Sequence, residues 1–270
     1  MRFHSWYYST MLTLAACHTL WLGSAFANTT VAQAVSLEQD ATNLKTCQNR
    51  YDYGIYLGGI HTGSMQRIET WYEATPGQPE HNQAEARVKS GTVESYSRAS
   101  ILGIGTRYRQ KAQLVQSSGT GDYLTTTFYQ KVSGFRSRTM NVTFSENGSE
   151  SEVDLNGEVT HYTNHGQPLR DVDTLSIQIR HLVMQGKTTF NLTRQATDGP
   201  EPYHYQVLGA KSLTLPPWGA LDVIQVEQTG AEEVTFWFAP SLQFALVQAK
   251  YHGFLFDATM ELETMEVQCP

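Results

Sequence analysis

From Tyr51 onward, apolar and polar residues alternate in short runs. Between Arg138 and Ser145, the apolar Met140, Val142 and Phe144 fall on one side. Thr139, Asn141, Thr143 and Ser145 fall on the other. Phe256, Ala258, Met260 and Leu262 alternate in the same way with Asp257, Thr259, Glu261 and Glu263, and Phe190 and Leu192 with Thr189, Asn191 and Thr193. Leu124 and Phe128 share one side, with Tyr123 and Tyr129 opposite. A period of two marks strands with one buried and one wet face, the pattern of antiparallel sheets. Turn signals separate these runs: Gly58-Gly59, Gly119-Thr-Gly121, Asn147-Gly148, Asn156-Gly157, Asn164-His-Gly166 and Pro216-Pro-Trp-Gly219. About a dozen short strands at such spacing predict a mainly β fold, a curved antiparallel sheet or β-barrel. The polar, Pro-containing stretch from Gln78 to Ala86 reads as a loop between two early strands.

One segment breaks the pattern. Between Asp171 and Met184, apolar residues at 172, 175, 179, 182 and 183 form a helical stripe. Asp171 and Asp173 are the candidate N-caps, Pro168 precedes the start, and Gly186 suits the position just past the end. A lone helix in a β protein must bury its stripe, so it is expected to pack on the sheet, with Leu175, Ile179 and Leu182 covered.

The first 27 residues have their own character. Arg2 is the only charged side chain there. An apolar run from Met11 to Leu22 follows it, and Ala25-Phe-Ala27 closes the segment. A basic start, a short apolar core and an A-x-A end read as a secretory signal peptide, with the mature chain beginning at Asn28 in the periplasm. The run is too short and interrupted to span a bilayer, which takes about 20 apolar residues. Leu14-Ala-Ala-Cys17 also has the shape of a lipobox, which would make the protein a lipoprotein anchored through Cys17. The chain stays apolar past Cys17, where a lipoprotein would turn polar, so soluble export is the favoured expectation. Residues 28–46 are polar and without period, and read as a tether before a single β-rich domain over 47–270.

Removing 27 of 270 residues leaves 270 − 27 = 243, enough for one large domain, and shifts the net charge from −7 to −8 through the loss of Arg2. An acidic chain with scattered Lys and Arg argues against a nucleic-acid partner and against electrostatic docking on anionic lipid. Of three cysteines, Cys17 leaves with the leader; Cys47 and Cys269 remain. In an oxidising compartment their natural pairing is with each other, which would tie the start of the domain to its last strand.

Three segments carry a family resemblance: Tyr53-Gly-Ile-Tyr-Leu-Gly-Gly-Ile-His-Thr-Gly-Ser64, Arg170-Asp-Val-Asp-Thr-Leu-Ser176 and Phe236-Trp-Phe-Ala-Pro-Ser-Leu-Gln-Phe-Ala-Leu-Val247. In this order they resemble a domain-of-unknown-function family of exported bacterial proteins, numbered 3108, over roughly residues 48–267. Asp173 and Ser176 match its Asp-x-x-Ser helix start, with Thr174 in place of the usual Pro. The resemblance implies a secreted β-rich barrel with a helix. It brings no established catalytic residues, so none is carried over, and no cofactor is expected.

The residues add little chemistry of their own. Asp171 and Asp173 could hold a divalent cation through oxygens, but lack a third acidic partner nearby, so helix capping is the expected role. His161 and His165 have the i, i+4 spacing of zinc sites, yet Asn164 and Gly166 place them at a turn. Ser176, Asp173 and His181 have the residue types of a triad, but all three sit on one helix, where a separation of five points Ser176 and His181 to different faces. Glu261 and Glu263 share a strand face expected to be solvated. The aromatics are the best functional hint. Tyr51, Tyr53, Tyr56, Trp71, Tyr72, Trp218 and Trp237 combine apolar bodies with polar tips, suited to lining a concave pocket for an amphipathic ligand. The sequence therefore predicts a non-enzymatic binding or carrier protein of the cell envelope, whose partner is a lipid, a glycan or an envelope protein. A hydrolase acting on envelope polymer and a structural assembly factor are the alternatives.

Overall fold

The computed structural model describes residues 44–74, 89–101, 104–134, 137–253 and 257–269. The segment read as a signal peptide and the stretch Gln78 to Ala86 read as a loop lie outside the described residues, as does the proposed tether up to residue 43. The first strand begins at Leu44, inside the stretch read as a tether.

The described residues form one sheet of 15 strands. Strands β1 (Leu44–Leu57), β2 (Ile60–Ala74), β3 (Ser90–Ile101), β4 (Ile104–Gln116), β5 (Tyr123–Gly134), β6 (Arg138–Phe144), β7 (Glu150–Leu155) and β8 (Glu158–Thr163) meander outward from the middle to one edge. A two-residue strand, β9 (Leu169–Arg170), and helix α1 (Val172–Met184) then carry the chain to the other edge. From there β10 (Thr189–Ala196), β11 (Gly199–Leu215), β12 (Gly219–Gly230), β13 (Val234–Ala239), β14 (Ala245–Tyr251) and β15 (Ala258–Val267) meander back until β15 pairs with β1. Every pairing is antiparallel except β9 with β10. The sheet is thus large, curved and unclosed. Its two ends meet through contacts such as Ser151 Oγ donating to Gln195 Oε1 at 2.7 Å, with no ladder between β8 and β9.

The seam where the first strand meets the last is covalently fastened. Cys47 and Cys269 form a disulfide with Cα atoms 5.1 Å apart. The Asn49 side chain accepts the backbone N–H of Gln268 and Cys269 at 3.1 and 3.0 Å, which holds the end of the chain beside the bridge.

Hairpin turns follow the sequence signals. At Asn156-Gly157 both residues have positive φ, 55° and 93°, which the tight β7–β8 turn demands and which Asn and Gly supply at least cost. β-Bulges, in contrast, break the simple alternation. The β4–β5 register shifts between Gln113 and Leu114, so that Leu114 faces Thr125 while Gln113 faces Thr127. Thr126 is the extra residue. Tyr123 therefore packs in the same core cluster as Phe128, not opposite it as strict alternation predicts.

Helix α1 starts at Asp171, whose carboxylate accepts the backbone N–H of Asp173 and Thr174. Asp171 alone is the cap. Asp173 is not a second one: its side chain turns into the protein toward Arg67. The helix ends with Gly186 at φ 74° and the paired bonds Lys187 N–H to Leu182 O and Gly186 N–H to Val183 O, a Schellman motif. Leu175, Ile179 and Val183 pack against Leu192, Tyr203, Tyr205, Val226 and Phe238. Leu182 is only half-buried, and Ile177 points instead into the core beneath β2–β7. The helix is therefore a wedge between the two halves of the sheet. Buried Arg170 anchors its approach by donating from Nε to the carbonyl of Tyr123 at 2.7 Å. Burial pulls the Arg170 guanidinium down to about 10.

Candidate functional site

On β2 the inward-facing positions read Met65, Arg67, Glu69 and Trp71, so two charged residues occupy places that the alternation reserves for apolar ones. They can be buried only because helix α1 brings opposite charges over them. Arg67 donates from Nη1 to Asp173 Oδ1 at 2.7 Å, from Nη2 to the Asp173 carbonyl at 3.1 Å, and from Nε to Glu69 Oε1 at 3.0 Å. Arg180, seven residues or two turns beyond Asp173 and so on the same face of the helix, donates to Glu69 Oε2 at 2.8 Å. Ser95 Oγ on β3 donates to Asp173 Oδ1 at 2.9 Å, and Tyr51 on β1 meets Arg180 at 3.4 Å. The network joins two guanidiniums to two carboxylates and has no net formal charge.

One atom is left out. Asp173 Oδ2 is buried and has no hydrogen-bond partner. A buried, unsatisfied carboxylate oxygen costs about 1–3 kcal/mol or more. Asp173 borders a cavity of about 270 Å³ between the helix and the sheet. Arg67, Glu69, Ser176 and Arg180 form its polar side, and Met65, Phe236, Phe238, Leu246 and Met260 its apolar side, with Tyr51 and Tyr53 between.

Burial sets the acidities. It pushes the Asp173 carboxyl up to about 6, with the Asp171 and Glu69 carboxylates adding to the rise and Arg67 opposing it. Asp171 is raised as well, mainly by burial. Burial also works to raise Glu69, but Arg180 and then Arg67 overcome it and hold Glu69 below the usual carboxylate range. The two acids act on stability in opposite directions. A raised acid stabilises the fold below its unfolded value and loses that contribution as pH rises through its folded value. A depressed acid contributes above its unfolded value and loses it as pH falls. Glu69 is therefore fully contributing at pH 5, while Asp173 still holds its proton there. The melting temperature should fall between pH 5 and pH 7, and Asp173→Asn should flatten that fall. Thermal melts of both proteins across this window check it.

The other candidate residues are not brought together. His161 and His165 are exposed, and His161 lies 3.7 Å from Glu152. Ser176 Oγ donates to the Asp173 carbonyl, while His181 packs edge-on against Tyr123. Glu261 accepts from Gln248 and Glu263 is exposed. Among the described residues, no group of three or more His, Cys, Asp or Glu is placed to hold a metal ion. No helix among them is long and apolar enough to cross a membrane.

Of the aromatics, Tyr51 and Tyr53 reach the cavity. Trp71 instead packs on Tyr123, Tyr56 on His61, and Trp218 donates to the Leu262 carbonyl at 2.8 Å. Trp237 packs in the central core cluster, and Tyr72 bonds Thr92. Sequence reasoning missed Arg67, Glu69 and Arg180. The signal available for the first two was a charged pair at i, i+2 flanked by Met65 and Trp71 on one strand face.

A solved structure shares this architecture. The chain is similar to the crystal structure of a beta-barrel-like protein of domain of unknown function DUF1849 from Brucella abortus, with 8% identity and a TM-score of 0.50, over 83% of this chain and 99% of that one. At that identity the likeness shows the fold alone. No family model matches the chain, and no curated protein matches it.

Proposed function

We propose that this is an exported, non-enzymatic binding or carrier protein that holds an amphipathic ligand in the cavity beneath α1. The observation that carries the reading is the cavity's two-sided lining, charged at Arg67, Glu69, Asp173 and Arg180 and apolar at Phe236, Phe238 and Met260. A ligand with an apolar body and a polar end would meet the charged side of this cavity while covering Phe236, Phe238 and Met260. The hydrolase alternative is less well supported. Both oxygens of Glu69 are taken by guanidiniums, Oε1 by Arg67 and Oε2 by Arg180, so neither oxygen is free of a cationic partner. Export rests on the leader-like first 27 residues, with the disulfide in agreement. The resemblance to family 3108 belongs to the same proposal.

Native mass spectrometry of the protein purified from its own envelope tests it. Wild type should carry a bound mass that organic extraction releases. Ala249→Trp, which fills the cavity from β14, should lose that mass while keeping its melting temperature within a few degrees. A wild type without any bound mass, and without binding to amphipathic fluorescent probes, would sink the proposal.

A further inference from the structure

The outer face of the sheet, opposite the cavity, brings together four cations that the sequence scatters. On β3 and β4, Arg98 stands directly across from Arg107. On β4 and β5, Arg109 stands directly across from Lys131. All four are exposed. Side chains directly opposite across a ladder have Cβ atoms about 5 Å apart, and like charges there destabilise the sheet. Two such pairs lie side by side, and among the described residues none of the four makes an ion pair. The adjacent carboxylate, Glu94, is taken by Lys111 at 2.9 Å. The cations form one wall of an open groove of about 550 Å³, whose other wall holds Asp52 and Glu263. Asp52 is itself engaged by Gln66, Thr264 and Arg50.

We propose that this outer groove is a docking surface for the anionic headgroups of a phospholipid bilayer. Charge complementarity is the first argument: in a chain of net charge −7, a cluster of unpaired cations sets the orientation in which an anionic surface can be approached. Extent is the second. The cations spread over three strands, each about 4.8 Å from the next, and so address several neighbouring phosphates, not one. The third is Ile60, 71% exposed at the β1–β2 turn. The β2–β3 register sets Gly63 beside Ala99, so this turn lies at the end of the sheet near Arg98. Basic side chains next to an exposed apolar one are the pairing that holds proteins at a lipid interface. Single-stranded nucleic acid fits less well, because stacking needs free aromatic faces. The ring of Tyr96 is covered by Arg109 at 5.6 Å, and Tyr108, which also borders the groove, falls on the alternate position of β4, with Val132 opposite it. The net acidity that argues against lipid docking is an average, and it conceals this patch. The inference does not depend on a ligand in the cavity.

Co-sedimentation of the mature chain at low salt tests it, with vesicles of equal parts phosphatidylglycerol and phosphatidylcholine against pure phosphatidylcholine. Binding is expected to the mixed vesicles only, weakening as salt is raised. Each cation near such a surface contributes about a 5-fold factor, so Arg107→Gln with Lys131→Gln should lower affinity about 25-fold. Lys187→Gln with Lys211→Gln makes the same change in net charge elsewhere and should leave affinity within about 2-fold of wild type. The patch variant should melt no lower than wild type, since it removes like-charge pairs. Equal loss in both variants, or no binding to the mixed vesicles, overturns the proposal. So does release by millimolar inorganic phosphate at constant ionic strength, which would make the groove a free-anion site. Tighter binding of an oligonucleotide than of vesicles would assign it to nucleic acid instead.

Discussion

Replacing Cys47 with serine should cost the fold on the order of 5 kcal/mol and lower its melting temperature by about 10–20 °C. The magnitude comes from the length of the loop that the bridge closes. Cys47 and Cys269 are 222 positions apart, so the disulfide constrains nearly the whole domain in the unfolded state. It also sits at the one place where the topology needs it. Within each meander most strands pair with the strand next to them in the chain, but β1 and β15 lie at opposite ends of the described chain and pair across its whole length. That pairing carries a high loop-closure cost, which the bridge removes. The seam does not vanish without it: the ladder from Asn49–Val267 to Leu57–Ala258 remains, as do the Asn49 bonds to the last residues. The variant should therefore fold, with a lower midpoint and an unchanged far-UV spectrum. Calorimetry of Cys47→Ser, and of wild type under reducing conditions, should give the same lowered midpoint.

What the sequence revealed and what it hid divides along local and non-local lines. The strand class, the turns and the extent of α1 depend on neighbours a few residues apart, and each left a readable mark: the Asn156-Gly157 turn, the Asp171 cap, the Gly186 end. The bulge at Thr126 did not, because one inserted residue reverses the faces downstream without changing composition. For that reason Tyr123 reads as outward and packs inward. The candidate site was hidden for a different reason. Asp173 has the right residue type and position to cap the helix, and local rules assign it that role. Only the approach of Arg67, 106 positions away, makes it part of an ion network. The aromatics illustrate the same limit. Their number suggested a lined cavity, but Trp71 and Trp218 are spent on core packing and a backbone contact, while Phe236 and Phe238, taken only as part of a late strand, form the cavity wall.

Arg67→Met should destabilise the protein by about 3–5 kcal/mol at neutral pH, the cost of removing one partner from a buried ion pair. Methionine matches the volume and leaves the apolar contacts of β2, so the loss is electrostatic. Glu69 keeps Arg180, at 2.8 Å, but Asp173 is left with the Ser95 hydroxyl alone. The buried carboxyl then takes up a proton more readily, because Arg67 is the group that opposes its rise. Protonation caps the penalty, so the cost should shrink at pH 5, where Asp173 is mostly neutral already. Adding Asp173→Leu to Arg67→Met removes the stranded charge and its unpartnered oxygen together. This double variant should recover most of the lost stability, a strongly non-additive result of the kind expected for groups in direct contact. Urea unfolding of wild type, both single variants and the double variant at pH 5 and 7 gives the full cycle. If an apolar pair holds the fold almost as well as the ion pair does, stability is not what keeps Arg67 and Asp173 beneath the helix. The double variant should then be a folded protein whose cavity no longer retains the bound mass, and that separation of folding from retention would locate the role of the network in recognising the polar end of the ligand.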